Sequence, residues 1–315
     1  MSSKELHADP IVIGGGLGGV AAAVTATRPG QSVVLTETSD WLGGQMTGQA
    51  VSPDEHQWIE TELVSPSYRG LRQRVRAHYR NNYSLTPEAH RREQLNPGAG
   101  NVSRLCHEPR VGALAIEEML SPLIASGQLT VLREHEPVAA ERSGDELEAV
   151  TVRSRRTGSA VVLTGSLVVD ATELGDLLEL AAIPHEIGAE SSAETGELHA
   201  PDVADPLDQQ AVTWCWALKY RPGENYVIDR PVEYDHWRDT VDPCWPGSQF
   251  SWSDVVPDLL TERVRPLFAG KPSDAVLSED PHLWHYRRIL AWPDEIRAPR
   301  QTHDGIHFGK TAHVR

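Results

Sequence analysis

The chain has 315 residues, of which 39% are hydrophobic and 23% are charged, so it is long enough and apolar enough to fold around a substantial core. Its 45 acidic and 29 basic residues give a formal net charge of -16 at pH 7, which disfavours nucleic acid as a partner. We predict a cytoplasmic protein with no membrane partner, because no apolar run could span a bilayer and residues 1–10 contain no signal-peptide core.

The first predicted elements form a strand–helix–strand unit. Pro10–Ile13 is a short apolar run that stops at three glycines, which is typical of a buried parallel strand. The alanine-rich stretch Leu17–Arg28 predicts a helix, and Ser32–Thr36 predicts a second strand. Because the joints between them are short, the three elements together make a βαβ unit.

The middle of the chain predicts two helices and a series of short strands. Tyr68–Tyr83 predicts a helix whose arginines we interpret as a solvated face rather than a site for an anionic substrate. Val111–Ile124 has apolar residues at helical spacing and is followed by a predicted strand at Leu129–Leu132. From Val138 to Val169, short β runs separated by turn sequences predict a β-meander that ends in a buried strand.

The composition changes beyond Pro201, where proline-punctuated, irregular sequence carries seven of the nine tryptophans. These tryptophans could form an aromatic substrate wall, but we expect most of them to lie in the core. Ala211–Tyr220 alternates in the manner of a strand.

The first chemical motif is the G-x-G-x-x-G of residues 14–19, between the first strand and the helix. In this pattern Gly14 permits a tight turn, Gly16 lets the backbone approach a pyrophosphate, and Gly19 lets the helix pack closely on the strand. Glu37 ends the second strand, where a carboxylate accepts hydrogen bonds from ribose hydroxyls and repels the 2′-phosphate of NADP. The alternative is a buried turn without a ligand.

Two further motifs follow along the chain. Gly43 and Gly44 would let the backbone pass close to a ligand, although an ordinary flexible loop explains them equally well. Asp170–Asp176 follows the strand after the β-meander, and its small residues suggest a second close approach. Thr172 or Asp170 could instead cap a helix, and both interpretations can hold together.

The order of these three motifs favours FAD over NAD, because a plain NAD domain continues with further βα units. The sequence resembles the FAD-dependent oxidoreductases of the glutathione-reductase-like superfamily with two dinucleotide-binding folds. Within it, the chain is most similar to the family that includes flavoproteins like the A subunit of heterodisulfide reductase. The resemblance rests on five stretches: Ser39–Gln45, Cys106–Arg110, Asp170–Asp176, Thr195–Pro201 and Leu283–Arg288.

The resemblance implies a role for each matching position. Gly14, Gly16 and Gly19 would hold the FAD pyrophosphate and Glu37 the adenosine ribose, while Val138 would present its backbone to the adenine. Gly43, Gly44 and Gln45 would pass beside the pyrophosphate or the ribityl chain. The remaining expected cofactor-binding residues are neighbours of these motifs or close the site: Leu17, Gly18, Thr38, Ala171, Thr172, Gly175 and Asp176.

Three residues are candidates for catalysis. His107 could be an acid or base near the flavin, and Glu197 and His199 could face the catalytic cavity. Cys106 precedes a predicted helix and could be a reactive thiol, although a plain helix start explains it better. Because the three cysteines are isolated, we predict no metal or iron–sulfur site.

We therefore predict an α/β fold in which a Rossmann-like FAD-binding domain with a β-meander crossover is joined to a partial β-rich substrate domain. The first would occupy residues 1–200 with an insertion over residues 41–103, and the second residues 201–315 with an irregular C-terminal tail. The predicted function is hydride transfer between an organic small molecule and flavin N5, with an unknown electron acceptor. Because members of the family run longer, we expect a C-terminally truncated chain. The alternatives are an NAD-linked dehydrogenase and a truncated, non-catalytic flavoprotein remnant.

Overall fold

The computed structural model of the chain describes residues 4–27, 31–210, 212, 214–221, 223–243, 245–256, 259–268, 283–291, 296–299 and 312–314. The chain divides into two compact units, which we call unit 1 (Met1–Gln49 and Arg110–Trp214) and unit 2 (Ala50–Pro109 and Cys215–Arg315). The domain limits predicted at residues 41, 103 and 200 stay predictions.

The regular elements of the described residues are as follows. The strands are β1 Lys4–His7, β2 Ile11–Ile13, β3 Val33–Glu37, β4 Tyr83–Leu85, β5 Leu129–Arg133, β6 His135–Ser143, β7 Glu146–Ser154, β8 Ala160–Thr164, β9 Val168–Asp170, β10 Trp216–Leu218, β11 Ser253–Val256, β12 Thr261–Val264, β13 Arg287–Arg288, β14 Ile296–Pro299 and β15 Ala312–Val314. The α-helices are α1 Leu17–Thr27, α2 Pro66–Asn82, α3 Pro87–Arg91, α4 Pro109–Ala125, α5 Asp176–Leu180, α6 Ser192–Thr195, α7 Tyr234–Asp239 and α8 Leu283–Tyr286.

A parallel sheet with the strand order β5-β3-β2-β9 forms the centre of unit 1. Helix α1 connects β2 to β3, and Ile11 pairs with Val34 on one side and with Val168 on the other. All three residues of β2 are buried, which explains why this strand is a continuous apolar run. Arg28, the predicted last residue of the helix, lies outside the described residues.

A second sheet of unit 1, with the order β1-β8-β7-β6, contains the predicted β-meander. Its inward side chains, such as Val150 and Leu163, share one buried cluster with Ile11, Ile13 and Val34 of the parallel sheet. The two sheets therefore pack on each other around a common core. The predicted α/β class, with a parallel sheet and a β-meander crossover, is confirmed.

In unit 2, helix α2 begins after Ser65, whose side chain accepts a hydrogen bond from the Tyr68 N–H. The prediction that the arginines of this helix form a solvated face is wrong for Arg72 and Arg76. Both are buried in ion pairs with Glu60, and Arg72 also pairs with Glu55. Carboxylates from the preceding loop compensate the two charges, which is the condition for burying them.

The expectation that most tryptophans of the C-terminal part lie in the core is also wrong. Five of them are between 40% and 87% exposed: Trp214, Trp216, Trp237, Trp245 and Trp252. The strands described around them have two to four residues, which is too little regular structure to bury large rings on both faces. Among the helices that the structure describes, none combines the length and the hydropathy that crossing a membrane requires.

Candidate functional site

The glycine-rich turn between β2 and α1 is held against the end of β9. Gly14 has a φ of 105°, and a Cβ atom on it would stand 2.1 Å from the backbone oxygen of Ala171. A Cβ atom on Gly19 would stand 1.9 Å from the backbone oxygen of Gly14. These two positions therefore admit glycine alone, and the turn leaves the N–H groups of the first turn of α1 without intrahelical acceptors.

Glu37 connects the end of β3 to this turn. Its Oε2 accepts a hydrogen bond from the Gly15 N–H at 3.0 Å, and its Oε1 accepts one from the Ser39 N–H at 2.7 Å. These bonds orient the carboxylate beside the glycines, and each oxygen retains a second lone pair for a ligand hydroxyl. The acidic residue that the spacing predicted thus lies at the glycine turn.

The glycine pair approaches the turn from the other side. Gly43 has a φ of 112°, and its N–H donates to the Gly15 carbonyl at 2.8 Å. Gly44 has a φ of 54°, and a Cβ atom on it would stand 3.2 Å from the Cα of Gly16. The two glycine motifs, far apart in sequence, therefore form one backbone surface.

A network of hydrogen bonds shapes the segment after β9. Asp170 Oδ1 accepts from the N–H and the hydroxyl of Thr172, and Asp170 Oδ2 accepts from the Leu177 N–H. The Thr172 hydroxyl accepts from the Asp176 N–H at 2.7 Å. The two predicted roles of this segment, a ligand approach and a cap for α5, are compatible because the cap itself fixes the loop.

Two cavities, of about 330 and 360 Å³, lie along this surface and share Gly16 and residues 171–173. Twelve of the fifteen residues predicted to bind the cofactor line them: Gly14, Gly16, Leu17, Gly18, Glu37, Thr38, Gly43, Gly44, Gln45, Ala171, Thr172 and Asp176. Of the other three, Gly19 packs beneath the turn and Gly175, with a φ of 72°, is the N-cap residue directly before α5. The structure brings these motifs together within unit 1.

Val138 is the third predicted cofactor-binding residue that does not line the cavities. It lies in the meander sheet and occupies a β-bulge. Its neighbours Pro137 and Ala139 pair with consecutive residues of β7, so Val138 itself has no register partner there. A bulged residue is left out of the strand ladder, which makes its backbone available for other contacts. The role predicted for it, a backbone contact to adenine, stays a prediction.

Sequence reasoning missed several residues that line the cavities. Gly15, Ser39, Met46, Gly48, Gln49, Glu173 and Leu174 belong to this group. Gly15, Glu173 and Leu174 lie inside motifs that were already recognised in the sequence. Extending the assignment to every residue of those motifs would have included them. Met46 to Gln49 follow the glycine pair in a tight turn, and no sequence signal distinguished them.

Of the predicted catalytic residues, His107 lies in unit 2 and is 2% exposed. Its Nδ1 lies 2.8 Å from the Leu105 carbonyl, which can only accept, so Nδ1 carries the proton and Nε2 is the bare nitrogen. Among the described residues, Nε2 has no hydrogen-bond partner. Burial lowers the pKa of His107, which favours the neutral imidazole.

Glu197 and His199 lie in unit 1 and are exposed on the loop after α6. Cys106 is buried, and burial raises the pKa of its thiol, which disfavours the thiolate. The part of the chain that the structure describes has no group of three or more side chains suited to hold a metal ion.

The arrangement in unit 1 suits an adenine dinucleotide. Its glycine turn offers helix N-terminal N–H groups to a pyrophosphate, and close backbone packing excludes a Cβ atom at Gly14 and Gly19. Glu37 offers a carboxylate to ribose hydroxyls one strand away.

Comparison with known proteins identifies relatives of this arrangement. The family model described as FAD dependent oxidoreductase matches residues 9–278. Over 109 residues, the chain is 36% identical to the A subunit of the ferredoxin:CoB-CoM heterodisulfide reductase of Methanosarcina acetivorans, a match that covers 34% of this chain and 13% of that protein. Over 59 residues it is 39% identical to the NADH oxidase of Thermoanaerobacter brockii, covering 17% and 9% of the two chains. The matches thus cover a small part of these curated relatives.

Solved structures show more distant similarity. The flavin-dependent monooxygenase PieE in complex with FAD and substrate is 17% identical, with a TM-score of 0.38 over 59% of this chain and 34% of that one. The glycerol-3-phosphate dehydrogenase from Bacillus halodurans complexed with FAD is 18% identical, with a TM-score of 0.35 over 55% and 36% of the two chains.

Proposed function

The chain belongs to the family of FAD dependent oxidoreductases, and from that premise we propose that it binds FAD at the glycine surface of unit 1 and transfers hydride between an organic substrate and flavin N5. FAD is the cofactor of this family. The substrate would be a small organic molecule, and a separate electron acceptor would complete the reaction.

One observation carries the cofactor proposal. Gly14–Gly19, Gly43–Gly44 and Ala171–Thr172 meet in a backbone surface that Glu37 flanks. A surface formed largely by glycine backbone, next to a helix N-terminus and a carboxylate, suits a pyrophosphate joined to a ribose.

The residues of this chain would bind and orient the cofactor. The N–H groups at the start of α1 would hold the pyrophosphate, Glu37 the adenosine ribose, and the bulged backbone at Val138 the adenine. Gly43, Gly44 and Gln45 would lie along the pyrophosphate or the ribityl chain. When bound, FAD supplies two-electron chemistry, in which the substrate gives a hydride to flavin N5 and an acceptor later removes the electrons.

For proton transfer we propose His107, with Glu197 and His199 as further candidates. A neutral imidazole whose bare Nε2 has no hydrogen-bond partner among the described residues can accept a proton from a substrate hydroxyl or amine as the hydride leaves. The lowered pKa of His107, caused by burial, keeps it in this form near neutral pH.

The test is an FAD titration of the purified full chain. We expect a flavin absorption spectrum or a saturable response to added FAD, and a rise of the melting temperature with FAD concentration. Release of FAD on denaturation would exclude the NAD-linked alternative. If FAD neither binds nor raises the melting temperature, the proposal is wrong and the remnant alternative stands.

A matched pair of variants locates the site. Gly44→Ala places a methyl group at the backbone surface, so we expect FAD to bind on the order of tenfold more weakly. Gly144→Ala is the control, because Gly144 has a similar φ of 61° but has nothing within 4 Å of its Cβ position. Equal loss of FAD affinity in both variants would contradict the assignment.

A further inference from the structure

The side chain of Glu173 lies over the backbone surface that we assign to the pyrophosphate. A Cβ atom on Gly44 would stand 2.7 Å from Glu173 Oε1, and one on Gly16 would stand 3.1 Å from the same oxygen. Glu173 also lines both cavities of unit 1. A carboxylate therefore lies where the two glycine motifs approach each other.

The backbone on both sides of Glu173 is fixed. Thr172 is held by two hydrogen bonds to Asp170, and the Asp176 N–H is bonded to the Thr172 hydroxyl. The Ala171 N–H donates to the Ile13 carbonyl at 2.7 Å, which ties the segment to β2. The segment thus presents the side chain to the glycines, and only rotation about the side-chain bonds of the exposed Glu173 can remove the carboxylate.

The negative charge of Glu173 affects how this surface can bind a pyrophosphate. The N-terminus of α1 attracts anions, and the Glu173 carboxylate is an anion attached to the protein at this point. A pyrophosphate carries negative charge of its own, so the two groups repel and compete for one positively polarised surface.

Resting on the proposed FAD site, we propose that Glu173 is a specificity-determining residue that competes intramolecularly with the cofactor pyrophosphate and is displaced when a dinucleotide binds. It lowers the affinity for every ligand that carries the pyrophosphate, and it leaves the affinity for the adenosine part unchanged. Weakly bound phosphate ligands are therefore excluded, while FAD, which has further contacts, is retained.

The test compares wild type with Glu173→Gln, which keeps the size of the side chain and removes its charge. We expect E173Q to bind ADP and FAD about fivefold more tightly, by calorimetry at low ionic strength, with adenosine unchanged. The gain should shrink towards 1 M salt, where charges are screened beyond roughly 3 Å. Glu179→Gln, the same charge change at an exposed position of α5 outside the cavity lining, should alter neither ADP nor FAD affinity.

Each outcome separates the inference from the proposed function. If FAD binds wild type and E173Q equally, or E173Q more weakly, the competition is wrong while the FAD site stands. If the affinity for ADP and FAD rises as much in E179Q as in E173Q, the effect comes from net charge and the inference is wrong. If wild type binds no FAD and E173Q binds none either, the proposed function fails and the inference fails with it.

Discussion

At the scale of single residues, the site depends on positions that cannot carry a side chain. Gly14 combines a positive φ with a neighbouring backbone oxygen 2.1 Å from its Cβ position, and a backbone atom cannot rotate away. Gly18, four residues on, has nothing within 4 Å of its Cβ position. The stretch from residue 14 to residue 19 therefore contains two indispensable glycines, Gly14 and Gly19, and one glycine, Gly18, that the structure does not require.

We expect Gly14→Ala to lower the free energy of unfolding by about 2–3 kcal/mol, because it adds backbone strain to a clash between fixed groups. Gly18→Ala should match wild type or exceed it by up to about 1 kcal/mol, because alanine favours a helix. Urea unfolding of both variants measures the difference. Equal stability of the two variants would contradict the clash.

Glu37 leads to a prediction for ligand binding. Glu37→Gln keeps an amide oxygen for the Gly15 N–H but removes the charge that strengthens a bond to ribose hydroxyls. We expect adenosine and FAD to bind on the order of tenfold more weakly, since hydrogen bonds to charged groups contribute about 1.5–3 kcal/mol. E179Q is again the control, and an unchanged adenosine affinity in E37Q would show that Glu37 does not contact the ribose.

At the scale of elements, the junction of β9 and α5 decides the shape of the site. Three donors converge on the Asp170 carboxylate: the N–H and hydroxyl of Thr172 and the Leu177 N–H. This arrangement couples the end of the strand to the first turn of the helix. It also holds Glu173 in front of the glycines. The geometry of this loop therefore depends on Asp170, which does not itself line the cavities.

We expect Asp170→Ala to release this loop and to lower the free energy of unfolding by about 1 kcal/mol. The loss is small because the carboxylate is exposed, so water competes for its hydrogen bonds. Hydrogen exchange of the Thr172 and Leu177 amides should accelerate, while the amides of β2 keep their protection. Asp145→Ala, an exposed acid in the turn between β6 and β7, is the control. Unchanged exchange at Thr172 in D170A would contradict the coupling.

At the scale of the whole molecule, the buried histidine links stability to pH. Burial lowers the pKa of His107 below its usual 6.5, so the unfolded chain binds a proton that the folded chain refuses. The contribution of His107 to stability is therefore fully present above about pH 6.5 and decreases as pH falls towards the folded pKa.

Glu60 links stability to pH in a lower pH range. Burial alone would raise the pKa of its carboxyl, but hydrogen bonds and charge from Arg76 and Arg72 outweigh that effect and lower it. Its contribution is lost as pH falls below about 4.5.

We expect His107→Gln to flatten the dependence of the melting temperature on pH from about 7.5 to about 5.5, because glutamine cannot take up the proton. The exposed His185 offers the control H185Q, which should keep the wild-type slope. A wild-type slope in H107Q would show that His107 is not the group that titrates. The slope is the deciding quantity, since the substitution itself can change stability at every pH.

Local signals in the amino-acid sequence were enough to predict the βαβ unit, the glycine turn, the acidic residue at the end of β3 and the β-meander. Apolar runs, glycine spacing and turn residues act over a few neighbouring positions, so they can be read without knowing the fold. In the structure Glu37 and the Asp170–Asp176 segment lie at the carboxyl ends of β3 and β9, the two parallel strands that flank β2, where ligands bind in this class of fold. Twelve predicted residues therefore line the cavities.

Features that depend on contacts between distant segments emerged in the folded chain alone. Folding placed Glu173 over Gly16 and Gly44, put Val138 in a bulge, and buried His107. It also buried two arginines of α2 beside acidic partners and left five tryptophans exposed, against expectation. Residue type determines which environment a side chain prefers. Its actual burial and partners depend on which distant segments pack against it, and no local sequence pattern contains that information.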